Sequence, residues 1–172
     1  MQTPQNNPMI ALVDRWGAHF GYYDGKIDLQ VDDLRSFVTP DCTLTAHAPL
    51  WGTKEGEEEA MPAGGVRRQL ARMLKMARVA RHDMHLALHP DGEALCLFFR
   101  VKGRIASFPV TVRNVPLAFV VQATETDDGL RISEVHEWSA ADPEAARRVL
   151  VDRHDWPADA TLKPYVGFGA VS

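Results

Sequence analysis

The chain is poor in cysteine: Cys42 and Cys96 are the only two, far apart and in no paired motif. That excludes a disulfide framework and a cysteine-ligated zinc site. Both lie in apolar, strand-like runs, so buried free thiols are expected. No apolar run approaches the roughly 20 residues a membrane helix needs. Positive charge is not in excess: 19 Lys and Arg against 23 Asp and Glu leave a formal net charge of −4. A nucleic-acid or anionic-membrane surface therefore has no electrostatic basis. The opening MQTPQNNP has no basic start and no apolar signal core, so a cytoplasmic, reducing environment is expected. The G-x-G-x-x-G, G-x-x-x-x-G-K and G-x-S-x-G patterns are missing, so neither a nucleotide cofactor nor a serine-hydrolase nucleophile is indicated.

What is present reads as one globular domain of 172 residues, 45% apolar and 24% charged. From Pro8 to Tyr23, Ile10, Val13, Trp16, Ala18, Phe20 and Tyr23 fall roughly at helical spacing. A second helix is expected over Val31–Val38, stopped by Thr39-Pro40-Asp41, with a strand over Cys42–His47. The acidic run Glu55–Glu59 reads as a solvated loop, and a third helix is expected over Gly65–Arg78. Its basic residues Arg67, Arg68, Arg72, Lys75, Arg78 and Arg81 read as a wet face. The period then switches to two, with strands expected at about 82–89, 93–106, 110–125 and 130–138. Pro90-Asp91-Gly92 and Asp127-Asp128-Gly129 are turns. Pro116 marks a bulge or an edge. Asp142-Pro143-Glu144 caps a last helix ending near Arg153, and the tail after it carries Trp156, Tyr165 and Phe168.

Helices followed by a run of strands imply an α+β domain with a curved antiparallel or mixed sheet. Three N-terminal helices would wrap a cone open at one end, residues 1–140. Residues 141–172 would form a helix and tail packing on the same domain. The 110–125 strand is apolar on both sides, Val115, Leu117, Phe119 and Val121 against Val112, Pro116, Ala118 and Val120. If the helices cover one face, a second subunit covers the other, so a homodimer through the outer face of the sheet is expected.

Strict alternation places His82 with Met84, Leu86 and Leu88, on the buried side. There it is either a core histidine bonded to backbone or an acid–base group. In the last strand Leu130, Ile132, Glu134, His136 and Trp138 share one face, which would put Glu134 and His136 at the cone mouth. His82, His85 and His89 would gather for a metal only on a helix; on a strand His82 points away, so no metal site is assigned. Trp16, Tyr22, Tyr23, Trp51, Phe98 and Trp138 are either core or pocket lining.

Tyr23-Asp24-Gly25-Lys26-Ile27-Asp28, Phe37-Val38-Thr39-Pro40-Asp41-Cys42, Arg81-His82 and Glu137-Trp138, in that order and spacing, resemble the nuclear transport factor 2-like superfamily in its SnoaL-like branch. Tyr23-Asp24, Glu59-Ala60-Met61-Pro62-Ala63 and Arg81-His82 resemble segments of the scytalone dehydratase family. The resemblance implies His82 as acid–base with Asp24 orienting it, Tyr23 as a water or carbonyl ligand, and His47 near the place of a second tyrosine. The family's second histidine has no counterpart in Val101-Lys102-Gly103-Arg104. Together these readings imply a cofactor-independent dehydratase, isomerase or cyclase for a small apolar cyclic or polyketide-like molecule. The alternatives are a ligand-binding protein without turnover and a structural dimer with a filled cone.

Overall fold

A computed structural model describes residues 7–13, 37–47, 59–62, 77–105 and 111–165. The chain begins there with a helical segment, α1, over 8–13. Asn7 caps it: its Oδ1 accepts from the backbone N–H of Met9 at 2.9 Å and Ile10 at 3.3 Å, and Pro8 occupies the first turn. Among the described residues seven strands follow: β1 (Val38–Ala46), β2 (Glu59–Pro62), β3 (Ala77–Leu88), β4 (Ala94–Ile105), β5 (Thr111–Thr126), β6 (Gly129–Trp138) and β7 (Lys163–Pro164). Helix α2 (Pro143–His154) lies between β6 and β7. The strands make one sheet in the order β2-β1-β6-β5-β4-β3-β7. Its described pairs are antiparallel except β1 with β6, which run parallel, so the sheet is mixed.

The turns form where glycine or aspartate permits them. Gly92 at φ 80° and Gly129 at φ 99° occupy left-handed positions closing the β3–β4 and β5–β6 hairpins. Asp142 caps α2, its Oδ1 accepting from the N–H of Ala145 at 2.8 Å, and Asp155 at φ 53° ends it. Pro116 lies beyond the last β5–β6 pair, Ala118–Trp138, so its missing N–H breaks no bond on that side. Two residues earlier Asn114 at φ 57° marks the β4–β5 irregularity.

Three expectations need correction. β1 starts at Val38 and runs through Thr39-Pro40-Asp41. Proline is tolerated there because, among the described residues, β2 pairs with Thr43–Ala46 and not with that stretch. Glu59, the last residue of the acidic run expected as a loop, opens a strand, β2, that runs to Pro62. Arg78 and Arg81 lie in β3, and Arg81 is only 3% exposed, so it is no wet helix face. The remainder of the expected N-terminal helices lies outside the described residues.

Both faces of the sheet are buried. On one, α1 packs through Met9, Ile10, Leu12 and Val13 onto Leu95, Leu97, Leu117, Val121, Ile132 and Val135. On the other, Ala146 and Leu150 of α2, with Trp156 and Leu162, cover Cys96, Phe98, Ala118, Val120 and Trp138. The chain thus covers with its own C-terminal segment the face on which a second subunit was expected. Leu150 is fully buried in that second core. Leu150→Ala is expected to lower the unfolding free energy by about 3 kcal/mol, within the range for emptied leucine sites. Urea denaturation reads it, and a loss below about 1 kcal/mol would mean that α2 does not seal this face.

Candidate functional site

Two bulges decide which side chains meet. In β3 the pairing with β4 slips between His82 and His85, and Asp83 sits at φ 52°. Each extra residue reverses the alternation beyond it. Arg81 therefore joins the α1 face, its guanidinium carbon 5.1 Å from the centroid of the Phe99 ring, which stacks on Phe119 at 5.5 Å. His82, paired with Arg100, faces the α2 side, with His85. His82 thus does not share a face with Met84, Leu86 and Leu88, and on the strand it does not point away from His85. Asp83 accepts from Nε of Arg100 at 3.1 Å.

In β6 the slip falls at Ser133: Gln122 pairs with Glu134, but Ala123 pairs with Ile132. Ile132 and Val135 both lie in the α1-side core, whereas Trp138 lies in the α2-side core. Glu134 and His136 accordingly face α2 instead of lining the interior with Leu130 and Ile132. Glu137, paired with Phe119, takes the α1 side and is buried.

That reversal brings three expected residues together. β1 and β6 run parallel with Thr45 opposite His136, so His47, two residues on, lands beside His136. The N–H of His47 donates to the carbonyl of Glu137 at 2.8 Å and pins the chain there. His47 Nε2 lies 2.8 Å from His136 Nδ1, and His136 Nε2 lies 2.8 Å from Glu134 Oε1. At the other end Arg153, from the last turn of α2, places Nη1 3.1 Å from His47 Nδ1.

The direction of this chain follows from its ends. A guanidinium only donates, so His47 Nδ1 accepts. A neutral His47 then carries its proton on Nε2 and donates to His136 Nδ1. His136 in turn carries its proton on Nε2 and donates to the Glu134 carboxylate. A fixed tautomer with a carboxylate behind it is the arrangement that lets an imidazole take up a proton and hold it. The His136 side chain is 14% exposed and that of Glu134 39%, so the chain reaches the surface. His154 completes the cluster: its ring lies 4.5 Å from His136, 5.8 Å from His47 and 5.5 Å from Trp138, on which it stacks.

Of the other expected residues, Phe98 is fully buried on the α2 side, with the His85 ring 5.9 Å away, and fills core. Trp138 is 3% exposed and forms the wall behind His154. Asp24, Tyr23, Trp16 and Trp51 lie outside the described residues, so the His82–Asp24 pair is seen from His82 alone. A cleft of about 360 Å³ opens between the start of α2 and β7, lined by His85, Asp142, Arg147 and Pro164 among others. It lies at the opposite end of α2 from the histidines, roughly 18 Å away at 1.5 Å per residue. Sequence reasoning missed Arg153, His154, Arg81 and Glu137. The first two sit in an ordinary helix end, and the last two change faces through the bulges.

No protein-family model matches the sequence, and no curated protein does. Several solved structures are similar. AusH from Aspergillus nidulans is 12% identical over 81% of this chain and 88% of its own, with a TM-score of 0.52. A protein from Xanthomonas campestris pv. campestris, assigned as a polyketide cyclase, is 16% identical over 76% of this chain and 88% of its own, at 0.51. A nuclear transport factor 2-like protein of unknown function from Mesorhizobium loti is 12% identical over 82% and 98%, at 0.50. At these identities the likeness is one of fold: the chain has the nuclear transport factor 2-like α+β fold.

Both cysteines are free and buried. Burial, with the carboxylates of Asp41 and Glu134 adding to it, pushes the Cys42 thiol from 9.0 up to about 11. Burial alone pushes Cys96 further up. Because the folded thiols hold protons that the unfolded chain releases above about pH 9, stability is complete below that pH and falls as pH rises through 11. At neutral pH a maleimide should label neither cysteine until urea unfolds the chain. Prompt labelling of the native protein would contradict this burial.

Proposed function

We propose that the protein is an acid–base enzyme that needs no cofactor, a dehydratase, isomerase or cyclase, acting on a small, largely apolar cyclic or polyketide-like molecule. The observation that carries this reading is the directed chain Arg153–His47–His136–Glu134, with 2.8 Å steps between His47, His136 and Glu134. A structural core histidine needs one acceptor for its N–H and one donor for its other nitrogen, and neither has to be a carboxylate or a second imidazole. The fold likeness to a protein assigned as a polyketide cyclase agrees with the substrate class but does not determine it.

In this reading His47 Nδ1 is the entry point. When Arg153 turns from it toward the substrate, the lone pair takes a proton from a carbon or hydroxyl of the substrate. The Nε2 proton of His47 then passes to His136 Nδ1. His136 becomes the imidazolium, and Glu134 stabilises its charge through the Nε2–H bond. The guanidinium of Arg153, freed from the ring, faces the oxygen on which negative charge grows. The chain run backward returns the proton to a leaving hydroxyl or to a neighbouring carbon.

A second reading, binding without turnover, is favoured by the α1 face, where buried Arg81 lies over the Phe99–Phe119 stack beside Glu137. It predicts a bound molecule released unchanged. The two readings separate on solvent deuterium exchange into the α-carbon of α-tetralone, followed by NMR. His136→Gln and Glu134→Gln should each slow the protein-catalysed rate by about 10²–10⁴-fold, the usual yield of general acid–base catalysis. Their melting temperatures should stay within a few degrees of the parent, because both residues lie at the surface end of the sheet. Equal rates for the parent and His136→Gln would sink the catalytic reading.

A further inference from the structure

His154 takes no part in the proton chain, yet it packs directly against it. One ring nitrogen from each of His47, His136 and His154 falls within 4.8 Å of the others. We propose that these three histidines form a binding site for one divalent transition-metal ion of the zinc class. The donor set is three half-buried imidazoles, a set that suits zinc, copper or nickel and not magnesium or calcium.

Three features besides proximity support the site. Each histidine comes from a different element: His47 just past β1, His136 in β6, His154 at the end of α2. The His154 ring is fixed by stacking on Trp138 at an interplanar angle of 21°. Glu134 accepts from the outer nitrogen of His136 at 2.8 Å, the carboxylate–histidine arrangement that orients metal-binding imidazoles and leaves Nδ1 as the donor. His47 Nε2 and His136 Nδ1 are 2.8 Å apart as a hydrogen-bonded pair. Around a tetrahedral ion with metal–nitrogen bonds near 2.0–2.1 Å they would stand about 3.3 Å apart, so the two rings part by about half an ångström. Three protein ligands leave a fourth position open to water or a small anion.

Arg153 opposes the ion. Its Nη1 donates to His47 Nδ1 and so keeps the proton on Nε2, the nitrogen the metal needs. It also sets a positive charge beside the site. Metal binding therefore requires Arg153 to turn away and the His47 proton to move to Nδ1. The metal and the proton chain both need the His136 Nδ1 lone pair, and the metal displaces the His47 Nε2 proton that the chain passes on, so they exclude each other. That the ion silences turnover rests on the catalytic reading above; that it binds does not.

The test uses the full-length chain without a histidine tag, stripped with chelator, and titrated with Zn²⁺ by calorimetry and Co²⁺ by visible absorption. One ion per chain and tetrahedral cobalt bands are expected. His154→Phe keeps the ring on Trp138 and should weaken binding at least about tenfold, and Glu134→Gln by about 10–100-fold. Arg153→Leu, at an exposed helix end, should tighten it. His89→Ala, a histidine outside the cluster, should leave it unchanged. Absence of saturable binding would overturn the site, as would affinity unmoved by His154→Phe, lost in His89→Ala, or not raised in Arg153→Leu. Circular dichroism checks the fold of each variant, and the gain expected from Arg153→Leu cannot come from a misfolded chain. Metal binding without deuterium exchange overturns only the catalytic reading, and exchange without metal binding overturns only the site.

Discussion

The fold depends on a geometric constraint: in a strand, side chains alternate, and one extra residue reverses every face beyond it. Here the extra residues sit at Asp83 and Ser133. Without the first, His82 would enter the α1-side core and Arg81 would leave it. Without the second, Ile132 and Val135 could not both be buried against α1, and Glu134 and His136 would fall away from α2. The bulge at Asp83 requires a left-handed residue, and aspartate supplies one at lower steric cost than a branched residue would. Its carboxylate then meets Arg100, which also donates to the carbonyl of Ala141 at 2.6 Å, tying the bulge to the segment that leads into α2.

The site is a consequence of that arrangement. α2 is needed to bury Cys96, Phe98, Ala118 and Val120, and its capping fixes where it begins and ends. Its last turn, carrying Arg153 and His154, is thereby delivered over the ends of β1 and β6. The parallel pairing of those two strands supplies His47 and His136 from positions 89 apart in sequence. Packing energy, not the polar groups, holds the three elements in place. The charged chain can therefore give and take protons, or exchange them for a metal, at little cost to the fold.

Much of the architecture was legible. β3 to β6 follow from period-two patterning and the Gly92 and Gly129 turns, and α2 from Asp142 and Pro143. The two-sided burial of β5 follows from its composition. Three things were not. β2 is four residues long and gains its identity only from pairing with β1. The slips at Asp83 and Ser133 add a single residue each, which strict alternation passes over. The parallel β1–β6 contact is non-local, so nothing near His47 announces His136. Glu134, His136 and His47 were recognisable as reactive types, but their meeting depended on that contact and on α2. Arg153 and His154 resemble the basic residues that end many helices.

The chemistry of the site depends on the direction of the chain from Arg153 to Glu134. Nitrogen-15 NMR of the imidazoles in metal-free protein reads it directly. Above the pH at which both rings are neutral, His47 and His136 should each appear as the Nε2–H tautomer, and Arg153→Leu should release His47 to a mixture while His136 keeps its form. Rings that average freely between tautomers in the parent protein, or a His136 protonated on Nδ1, would contradict the chain and the chemistry built on it.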